Sequence, residues 1–572
     1  MMAGTLRSEF EPGSTRWAVR RAQWRAMGIP EKDFHKPKIA VVNSSSTLSV
    51  CYIHLDQVSQ VVQQAVREAG GLPFEIRTAA PSDFITSAGK KARYLMPTRD
   101  LIVNDIEVMV EGAQLDGMVC LSSCDKTTPG HLMASARLNV PSILVTCGYQ
   151  TGGTCAGRHV DIDDVYESVG SVASGTMTVE QLREITETAI QAPGVCAGLA
   201  TANTMHVLAE ALGMTLPGNA PVRAGSEKMF GFARAAGARI VEMVREDLRP
   251  RDILTSAALA NAVEVALAVG GSVNCVRHLA AVATEAELDV DIVSLFQERA
   301  EDASLVCRVR PNGPHSVGEL EEAGGARGAM KQISSRLHTS TVTVSGKTVA
   351  DILDEAPPPD ERVIRPLDDP FRMEPGLKII RGNLAPHGAI VKLSAVPEDR
   401  YEFKGSARVY EGEDEAIESL GRGEIRDGDV IVLRGLGPRG GPGTVFAASF
   451  AAALNGAGFS GSVAVVTDGE LSGLNRGLIV GQIMPEAADG GPLALVEEGD
   501  EIEIDLRRSV INLLVEDAVI DARKAAWTPP PPTRERGWLA QYSRLVQPME
   551  KGATLVQPPS APDPATTEVR LR

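Results

Sequence analysis

The chain has 572 residues and a mass of 60.6 kDa, and its 57 basic and 74 acidic residues give a net charge of −17. A chain of this length forms several domains or two large ones, and it buries enough apolar surface to fold without disulfides or metals. The acidic balance, with no block of lysines and arginines, argues against binding to nucleic acid or to an anionic membrane, because phosphate groups are held by clustered basic side chains.

The sequence carries no sign of export or of insertion into a membrane. No apolar run reaches the roughly 18 residues that a transmembrane helix needs, and residues 1–10 contain no apolar signal core. We therefore expect a cytoplasmic protein without a membrane partner. In that reducing compartment, its eight cysteines are expected to be buried thiols or metal ligands rather than disulfides.

The first part of the chain alternates short apolar runs with amphipathic stretches. The runs at 38–42, 117–121 and 141–145 predict buried strands, and apolar residues at helical spacing predict helices over 54–69 and 132–139. Strands that alternate with helices indicate an α/β domain whose parallel sheet is covered by helices. Ligands of such sheets bind at the loops beyond the carboxyl ends of the strands.

The pattern of predicted secondary structure changes after residue 355, from mainly helical to mainly β. Residues 160–345 are mainly helical by pattern, with Ala-rich helices at 257–267 and 278–286, whereas later residues form short β-type runs. Six prolines and several acidic residues separate the two parts and indicate a linker. We predict four segments: an N-terminal α/β domain over 1–355, a linker over 356–375, a β-rich, barrel-like C-terminal domain over 376–525, and a tail over 526–572 whose Pro-rich end is loose.

Three cysteines lie in loops among small or polar residues. Cys51, Cys124 and Cys196 are far apart in the sequence, so their spacing alone leaves three unrelated buried thiols as an alternative. The segment Cys124-Asp125-Lys126 follows a predicted strand and offers a thiol that suits iron and a carboxylate that suits Mg²⁺. An ordinary surface loop is the alternative there. Cys120, within the strand, is expected to be a core residue.

Residues 124–141, with the sequence CDKTTPGHLMASARLNVP, closely resemble the signature of the dihydroxy-acid dehydratase and sugar-acid dehydratase family. Ordered matches continue across residues 15–555. They include TANTM at 201–205, LPGN at 216–219, GGSVN at 270–274, RGNLAP at 381–386 and TDG at 467–469. The chain is therefore identified as a divergent member of this family of iron–sulfur dehydratases.

The resemblance implies a [2Fe–2S] cluster held by Cys51, Cys124 and Cys196, with one iron position open to act as a Lewis acid on the substrate C3 hydroxyl. It also implies that Ser472, as an alkoxide, removes the C2 proton of a 2,3-dihydroxy acid. Loss of water then gives an enol, which becomes a 2-keto acid. Since the cysteines and the serine come from different parts of the chain, we expect the site between the two domains.

The resemblance further implies a Mg²⁺ ion held by Asp83, Asp125 and Lys126, with the lysine carbamylated so that it offers an oxygen ligand. The chain departs from the family at the fourth ligand, a glutamate that follows a Gly-Gly-Pro-Gly turn. Phe446 occupies that place, and a phenyl ring cannot bind Mg²⁺. The sequence therefore leaves it open whether the ion binds.

Other departures fall near the predicted site. Tyr52 replaces an asparagine, Phe84 a glycine, Gly89-Lys90 a His-Glu pair and Glu470 an arginine. We predict an altered substrate pocket that is lined by Tyr52, Phe84, Lys90, Phe446 and Glu470. Lys90 and Glu470 both reverse a charge, and we hypothesise that they face each other as an ion pair. Two independent surface changes are the alternative.

Three functions are compatible with this pattern. The first is a dehydratase with an altered pocket for a specialised 2,3-dihydroxy acid. The second is the housekeeping conversion of 2,3-dihydroxy-3-methylbutanoate in branched-chain amino acid synthesis, with Glu470 or a water replacing the lost Mg²⁺ ligand. The third is a binding or regulatory protein without catalysis. The expected partners are a small hydroxy acid and, by the resemblance, further copies of the chain in a homodimer or a dimer of dimers.

Two further motifs have alternative interpretations. The Gly-rich stretch 435–443 could form a phosphate-binding nest, but a strand-terminating turn is favoured because no P-loop lysine follows it. His54 could ligate a metal beside Cys51, but packing at a helix start, where it orients the cysteine loop, is favoured.

Overall fold

The structure is a computed structural model that describes residues 6–173, 175–311, 313–441, 448–471, 476–530 and 536–556. The predicted base Ser472 and the predicted pocket residue Phe446 both lie outside the described residues. The described residues form an N-terminal α/β unit with a parallel sheet and a C-terminal closed β-barrel, which confirms the predicted fold class.

The N-terminal sheet consists of four parallel strands, in the order β2-β1-β3-β4. They are β1 Lys38–Asn43, β2 Leu72–Arg77, β3 Gly117–Ser122 and β4 Ser142–Thr146. Strands β1, β3 and β4 were predicted, and they are buried along their whole length. Strand β2 was not predicted, because Pro73 argues against a strand; β2 lies at the sheet edge, where a proline is tolerated.

The helices that belong to the first half of the N-terminal unit cover the sheet or precede it. They are α1 Thr15–Ala26, α2 Leu55–Glu68, α3 Asp83–Thr86, α4 Leu95–Ala113 and α5 Thr127–Leu138. Helix α5 begins earlier than the predicted helix over 132–139. Thr128, Pro129 and Gly130 are typical of a turn, but a proline in the first helical turn costs no hydrogen bond, because the N–H groups there have no partner within the helix.

The second half of the N-terminal unit is mainly helical, as predicted, apart from a short hairpin of β5 Gly153–Cys155 and β6 Arg158–Val160. Its helices are α6 Ile162–Ala173, α7 Val179–Thr188, α8 Thr201–Ala211, α9 Glu227–Glu246, α10 Pro250–Ile253, α11 Ser256–Val269, α12 Asn274–Glu285, α13 Ile292–Ala300, α14 Val317–Glu322, α15 Gly325–Gln332 and α16 Val349–Glu355. The predicted Ala-rich helices correspond to α11 and α12. Helix α8 is buried throughout, so it forms part of the core beside the sheet.

The C-terminal barrel closes in the order β10-β11-β12-β8-β7-β14-β13-β9. Its strands are β7 Lys378–Gly382, β8 Ala385–Val391, β9 Glu402–Tyr410, β10 Asp429–Leu433, β11 Ala464–Thr467, β12 Leu478–Met484, β13 Glu501–Asp505 and β14 Val510–Leu513. Neighbouring pairs from β9 to β12 are parallel, and the helices α17 Glu413–Gly421 and α18 Ala448–Gly456 connect β9 to β10 and β10 to β11. The loop after β11 carries Glu470, so the carboxyl ends of strands in both domains contribute to the site.

A close helix crossing joins the two domains. Helix α6 of the N-terminal unit packs against α18 of the barrel domain, and the contact is made through Gly170 and Gly456. A Cβ added at Gly456 would lie 2.1 Å from the carbonyl carbon of Gly170, and one added at Gly170 would lie 2.4 Å from the carbonyl oxygen of Ala452. Side chains larger than hydrogen therefore cannot be accommodated at this crossing.

The last described segment returns to the N-terminal unit. After α19 Asp517–Ala526, helix α20 Trp538–Leu545 packs against α4, and Tyr542 is fully buried there. Arg99, also fully buried, donates to the carbonyl oxygens of Gly552 and Ala553 at 2.8 and 2.9 Å. None of the described helices is long and apolar enough to cross a membrane.

Candidate active site

The loops after three neighbouring strands bring together residues that are distant in the sequence. Cys51 follows β1, Asp83 follows β2, and Cys124 follows β3. The loops are tied to each other by hydrogen bonds between buried groups: the Ser123 hydroxyl donates to the Cys51 carbonyl oxygen at 2.5 Å, and the Ser49 hydroxyl donates to that of Ser82 at 3.0 Å. The strand pattern of the sequence did not predict that Asp83 lies at this edge of the sheet, because strand β2 was not predicted.

The three cysteines that the sequence singled out lie together. Cys51 and Cys124 are 3% and 2% exposed, and their thiols are within hydrogen-bonding contact. This contact, together with burial, raises the pKa of Cys124. Burial and the nearby Cys124 also raise the pKa of Cys196. All eight cysteines of the chain are free thiols.

The Cys196 loop reaches this cluster through a close approach of backbones. The Gly194 N–H donates to the Val50 carbonyl oxygen at 3.2 Å, next to Cys51. Gly194 has φ +120°, and a Cβ there would lie 2.7 Å from the Gly148 carbonyl oxygen, so only glycine fits. The Asn203 amide, near the start of α8, donates to the Cys196 carbonyl oxygen at 2.7 Å and fixes the other side of the loop.

Of the residues predicted to line an altered pocket, Tyr52 lies deepest. It is fully buried, its hydroxyl donates to the Pro81 carbonyl oxygen at 2.5 Å, and it also contacts the Cys124 thiol. Burial raises the pKa of Tyr52 well above its ordinary value, so the phenol stays protonated. Tyr52 therefore links the cysteine loops to the loop that carries Asp83.

Phe84 and Lys90 lie further out. The Phe84 ring is half-buried and packs on Tyr166 of α6, with the ring centroids 5.8 Å apart. Tyr166 in turn makes a hydrogen bond with Ser449 of α18, so Phe84 adjoins the contact between the domains. The Lys90 side chain is exposed.

His54 packs beside the cysteine loop at the start of α2. Among the described residues, its ring makes no hydrogen bond with a thiol, and its Nε2 lies 2.8 Å from the Cys147 carbonyl oxygen.

Glu470 forms an ion pair across the domain boundary, but with Lys126 rather than with Lys90 as hypothesised. The Lys126 Nζ lies 2.8 Å from Glu470 Oε1 and 3.3 Å from Asp125 Oδ2. The three side chains are 0%, 1% and 3% exposed. Burial works to lower the pKa of Lys126, but Asp125 and Glu470 outweigh it and raise that pKa above its ordinary value. Lys126 in this arrangement is an ammonium.

The carboxylates around Lys126 are only partly satisfied. Asp83 and Asp125 make a side-chain contact, and burial together with the Asp125 charge raises the pKa of Asp83 well above its ordinary value. One oxygen of each carboxylate, namely Asp83 Oδ1, Asp125 Oδ1 and Glu470 Oε2, is buried without a hydrogen-bond partner. Buried acceptors of this kind are costly unless a ligand satisfies them.

Buried basic groups surround the far side of Glu470. His278 Nε2 lies 4.0 Å from Glu470 Oε1, and Arg277 stabilises the Glu470 charge. The Arg99 guanidinium lies 3.4 Å from His278 Nδ1, which must accept that contact, so the ring proton is on Nε2 and faces Glu470. Burial, followed by the charges of Lys126 and Arg99, lowers the pKa of His278 well below its ordinary value, so the ring is neutral.

Asn274 was not singled out as a site residue from the sequence, although its motif was. Its amide group donates to the Leu471 carbonyl oxygen at 2.8 Å and to the Thr201 hydroxyl at 3.2 Å, and its oxygen accepts from the Gln482 amide at 3.1 Å. Leu471 directly precedes Ser472 in the sequence. Asn274, at the start of α12, thus fixes the end of the described barrel loop against the N-terminal unit.

In the described part of the Gly-rich stretch, residues 435–441, buried carboxylates accept hydrogen bonds from several backbone N–H groups. Asp468 accepts from Leu436 at 2.9 Å, and Glu486 accepts from Arg439 at 3.0 Å and from Gly440 at 2.9 Å. Protein carboxylates therefore hold the groups that a phosphate nest would leave open. The geometry supports the predicted turn that follows a strand.

The donor set fits an iron–sulfur cluster. The Cys51 and Cys124 thiols are in contact, the Cys196 thiol lies close enough to Cys124 to be affected by its charge, and a two-iron cluster distributes its protein ligands over two metal atoms. Among the described residues, no three His, Cys, Asp or Glu side chains surround a single point as the ligands of one ion would. Cys51, Cys124 and Cys196 would hold the cluster.

The donor set does not fit a Mg²⁺ ion. This ion requires oxygen ligands in near-octahedral geometry, whereas the Lys126 ammonium contacts two of the nearby carboxylates. Position 446, where the resemblance implies a glutamate ligand, carries a phenylalanine.

Comparisons with known proteins agree with the resemblance in the sequence. The family described as dihydroxy-acid/6-phosphogluconate dehydratase matches with its N-terminal part over residues 36–352 and with its C-terminal part over residues 362–553. A protein named dihydroxy-acid dehydratase from Syntrophobacter fumaroxidans is 40% identical over 96% of this chain and 99% of its own length. Proteins of the same name from Ignicoccus hospitalis and Methanococcoides burtonii are 41% and 40% identical over 96% of this chain, covering 98% and 100% of their lengths.

Proposed function

Because this chain belongs to the dihydroxy-acid/6-phosphogluconate dehydratase family and is a hydro-lyase, we propose that it removes water from a 2,3-dihydroxy acid to give a 2-keto acid. The observation that carries this proposal is the meeting of Cys51, Cys124 and Cys196 beside Lys126 and Glu470 at the domain boundary. Thiols for a cluster and charged groups for a hydroxy acid are thus available at one place.

The cysteines would hold a [2Fe–2S] cluster, which, when bound, supplies an open iron position as a Lewis acid toward the C3 hydroxyl. Ser472, which lies outside the described residues, is proposed as the base that takes the C2 proton. The carbon–hydrogen electron pair forms the C2–C3 double bond, and the C3 hydroxyl leaves with one proton as water. The proton of this water is the one that Ser472 received from C2, so the base is restored. The resulting enol gains a proton at C3 and loses one from its oxygen, giving the 2-keto acid.

The residues around Lys126 support a role in holding the substrate. The Lys126 ammonium offers a positive charge to a substrate carboxylate, and the unpartnered oxygens of Asp83 and Asp125 accept hydrogen bonds from hydroxyl groups. Burial of these groups excludes water, which strengthens each of these interactions.

We propose a specialised substrate, since Tyr52, Phe84, Lys90, Phe446 and Glu470 alter the chemistry of the predicted pocket. A second candidate is the housekeeping reaction on 2,3-dihydroxy-3-methylbutanoate. The specific observation in its favour is the 40% identity, over nearly the full length, to proteins named dihydroxy-acid dehydratase. The presence in the sequence of Cys51, Cys124, Cys196 and the proposed base Ser472 argues against a protein without catalysis.

The test is anaerobic formation of 2-keto acid by the cluster-reconstituted protein. The substrates are 2,3-dihydroxy-3-methylbutanoate and a panel of C4–C6 sugar acids, and a Cys196→Ser variant is the control. Turnover of a sugar acid, but not of the branched-chain acid, supports the specialised function. Turnover of the branched-chain acid at the higher rate supports the housekeeping function. Failure on every substrate by a protein with a full complement of iron and sulfide would point to a specialised substrate outside the panel or to the non-catalytic alternative.

The oligomeric state is expected to be a homodimer or a dimer of dimers, and the protein is expected to be cytoplasmic. Light scattering coupled to size-exclusion chromatography checks the oligomer, and a monomer at micromolar concentration would contradict the expectation.

A further inference from the structure

We infer that Lys126 remains an unmodified ammonium and that its ion pair with Glu470 takes the place of the magnesium ion, so that this chain works without a divalent cation. This inference rests on the proposed dehydratase function. It concerns an exchange of charge within the site: the Lys126 ammonium supplies the positive charge that the resemblance assigns to Mg²⁺, and no carbamate is formed to bind that ion.

The first argument is steric. Carbamylation would attach a carboxylate to the Lys126 Nζ, and Glu470 Oε1 already lies 2.8 Å from that nitrogen. Both side chains are fully buried, so neither the added group nor Glu470 has solvent to move into. The modification would require Glu470 to leave a position that the Leu471 backbone, bound by Asn274, helps to fix.

The second argument is electrostatic. A carbamate beside the Glu470 carboxylate would place two like charges in contact inside the protein, which is unfavourable at low dielectric. An ammonium at the same place is attracted by Glu470 and by Asp125, whose Oδ2 lies 3.3 Å away. The carboxylate at position 470 therefore selects the cationic form of Lys126.

The third argument concerns the ligands that remain. Mg²⁺ is usually bound by several hard oxygen donors. Asp83 and Asp125 are in contact, but Phe446 supplies no carboxylate, and in the described part of the chain no third acidic side chain completes a set around one ion. The unpartnered oxygens of Asp83 and Asp125 are instead available to substrate hydroxyl groups.

The primary test is the metal and carbamate content of the wild-type holoenzyme, purified and reconstituted in buffer with Mg²⁺ and then dialysed. We expect about two iron atoms per chain, as a [2Fe–2S] cluster requires, and Mg²⁺ far below one per chain by emission spectrometry. Incubation with ¹³C-bicarbonate should give no carbamate resonance in the ¹³C spectrum. The Syntrophobacter fumaroxidans relative, prepared in parallel, is the comparison protein.

A paired variant tests the cause. In Phe446→Glu/Glu470→Gln, a carboxylate returns and the partner of Lys126 loses its charge, so Mn²⁺, measured by electron paramagnetic resonance as a substitute for Mg²⁺, should bind about tenfold or more tighter than in the wild type. Glu264→Gln is the matched control, since Glu264 is also a buried glutamate, paired with Arg336 at 2.8 Å but remote from the site. It should leave Mn²⁺ binding unchanged.

One Mg²⁺ per wild-type chain, or a carbamate resonance, would overturn the inference. If that Mg²⁺ were lost in Glu470→Gln, Glu470 would be a relocated magnesium ligand. The wild-type measurement decides the question even if a variant does not fold. Neither readout depends on turnover. If no substrate is found, the proposed function fails, but the metal and carbamate measurements still test this inference.

Discussion

Tyr52 illustrates how a single buried side chain can connect two parts of the site. Its hydroxyl donates to the Pro81 carbonyl oxygen, and its ring lies between the cysteine loops and the loop of Asp83. It contacts the Cys124 thiol, so it positions one of the cysteines that would hold the proposed cluster. The resemblance implies an asparagine at position 52, so a cluster held by these cysteines would have an altered environment in this chain.

The variant Tyr52→Phe should lose its cluster faster than the wild type. Removal of the hydroxyl leaves the Pro81 carbonyl oxygen buried without its donor, which costs about 1–3 kcal/mol and loosens the loop beside Cys124. We expect iron release to a chelator to be about tenfold faster, followed by visible absorption. Tyr410→Phe, which removes a buried hydroxyl contact with Ser419 in the barrel, is the control. Equal release rates in the two variants would contradict this role.

Residue identities were predictable where a motif carries them, and pairings were not. Cys51, Cys124 and Cys196 were named from the resemblance to the family, and the structure brings the Cys51 and Cys124 thiols into contact with Cys196 nearby. The partner of Glu470 could not, because the ion pair with Lys126 joins positions 344 residues apart and depends on how two domains meet. Lys90 shares a reversed charge with Glu470, but a charge pattern does not specify distance.

At the scale of elements, the crossing of α6 and α18 shapes the contact between the domains. Gly170 and Gly456 allow the two backbones to touch, and the same helices carry Tyr166 and Ser449, which lie beside Phe84. The glycines thus set the distance between the Asp83 loop and the barrel domain. A small change in helix separation is therefore transmitted to the site.

The substitution Gly456→Ala should destabilise the domain contact. The new Cβ would meet the Gly170 backbone at 2.1 Å, which cannot be relieved by a side-chain rotation, so the helices must separate at a cost of about 1–3 kcal/mol. We expect a lower thermal midpoint and a loss of activity, with the far-ultraviolet dichroism unchanged. Gly461→Ala, where no atom lies within 4 Å of the added Cβ, is the control. A Gly456→Ala protein as stable and active as this control would disprove the argument.

The variant Asn274→Asp should impair turnover without loss of the cluster. A carboxylate cannot donate to the Leu471 carbonyl oxygen, so the loop that leads to Ser472 loses its anchor. We expect kcat to fall about 100-fold with little change in KM, because the proposed base is misplaced while substrate contacts persist.

Asn261→Asp is the matched control for that variant. Asn261 is equally buried and binds the His338 backbone, away from the site. Steady-state kinetics with the substrate identified above, together with iron analysis, make the comparison. A rise in KM at constant kcat would show that Asn274 acts on binding instead.

The elements themselves were predicted where the apolar pattern is regular. Strands β1, β3 and β4 have unbroken buried runs, and the alternation in β13 is visible in the sequence. Strand β2 and the first turn of α5 were missed for a common reason. Each contains a proline that normally ends regular structure, and each lies where the missing N–H is harmless.

Across the whole molecule, buried carboxyl and imidazole groups have opposite effects on the pH dependence of stability. Burial raises the pKa of Glu210 to about 7 and that of Glu486 to about 8. The folded chain therefore keeps protons that the unfolded chain loses above about pH 4.5. Burial lowers the pKa of His131 to about 3 and that of His206 to about 4, so the unfolded chain binds extra protons below 6.5.

We expect the free energy of unfolding to change little between pH 4.5 and 6.5, where the two effects oppose each other, and to fall as the pH rises from 6.5 to about 8. In the upper interval the histidines are neutral in both states, and unfolding releases protons from the glutamates. Glu486→Gln removes one of these groups, so its urea midpoint should fall less over that interval. Equal declines in the two proteins would rule out Glu486 as a cause.

The contact of Arg99 with Gly552 and Ala553 has a consequence for synthesis on the ribosome. Helix α4 and all three cysteine loops emerge early, but the two carbonyl groups that Arg99 binds are among the last described residues to be made. Until then, the buried guanidinium lacks these partners and Glu470 cannot have covered Lys126 from a completed barrel. The N-terminal unit therefore acquires the partners of this buried guanidinium only after the barrel domain has been synthesised.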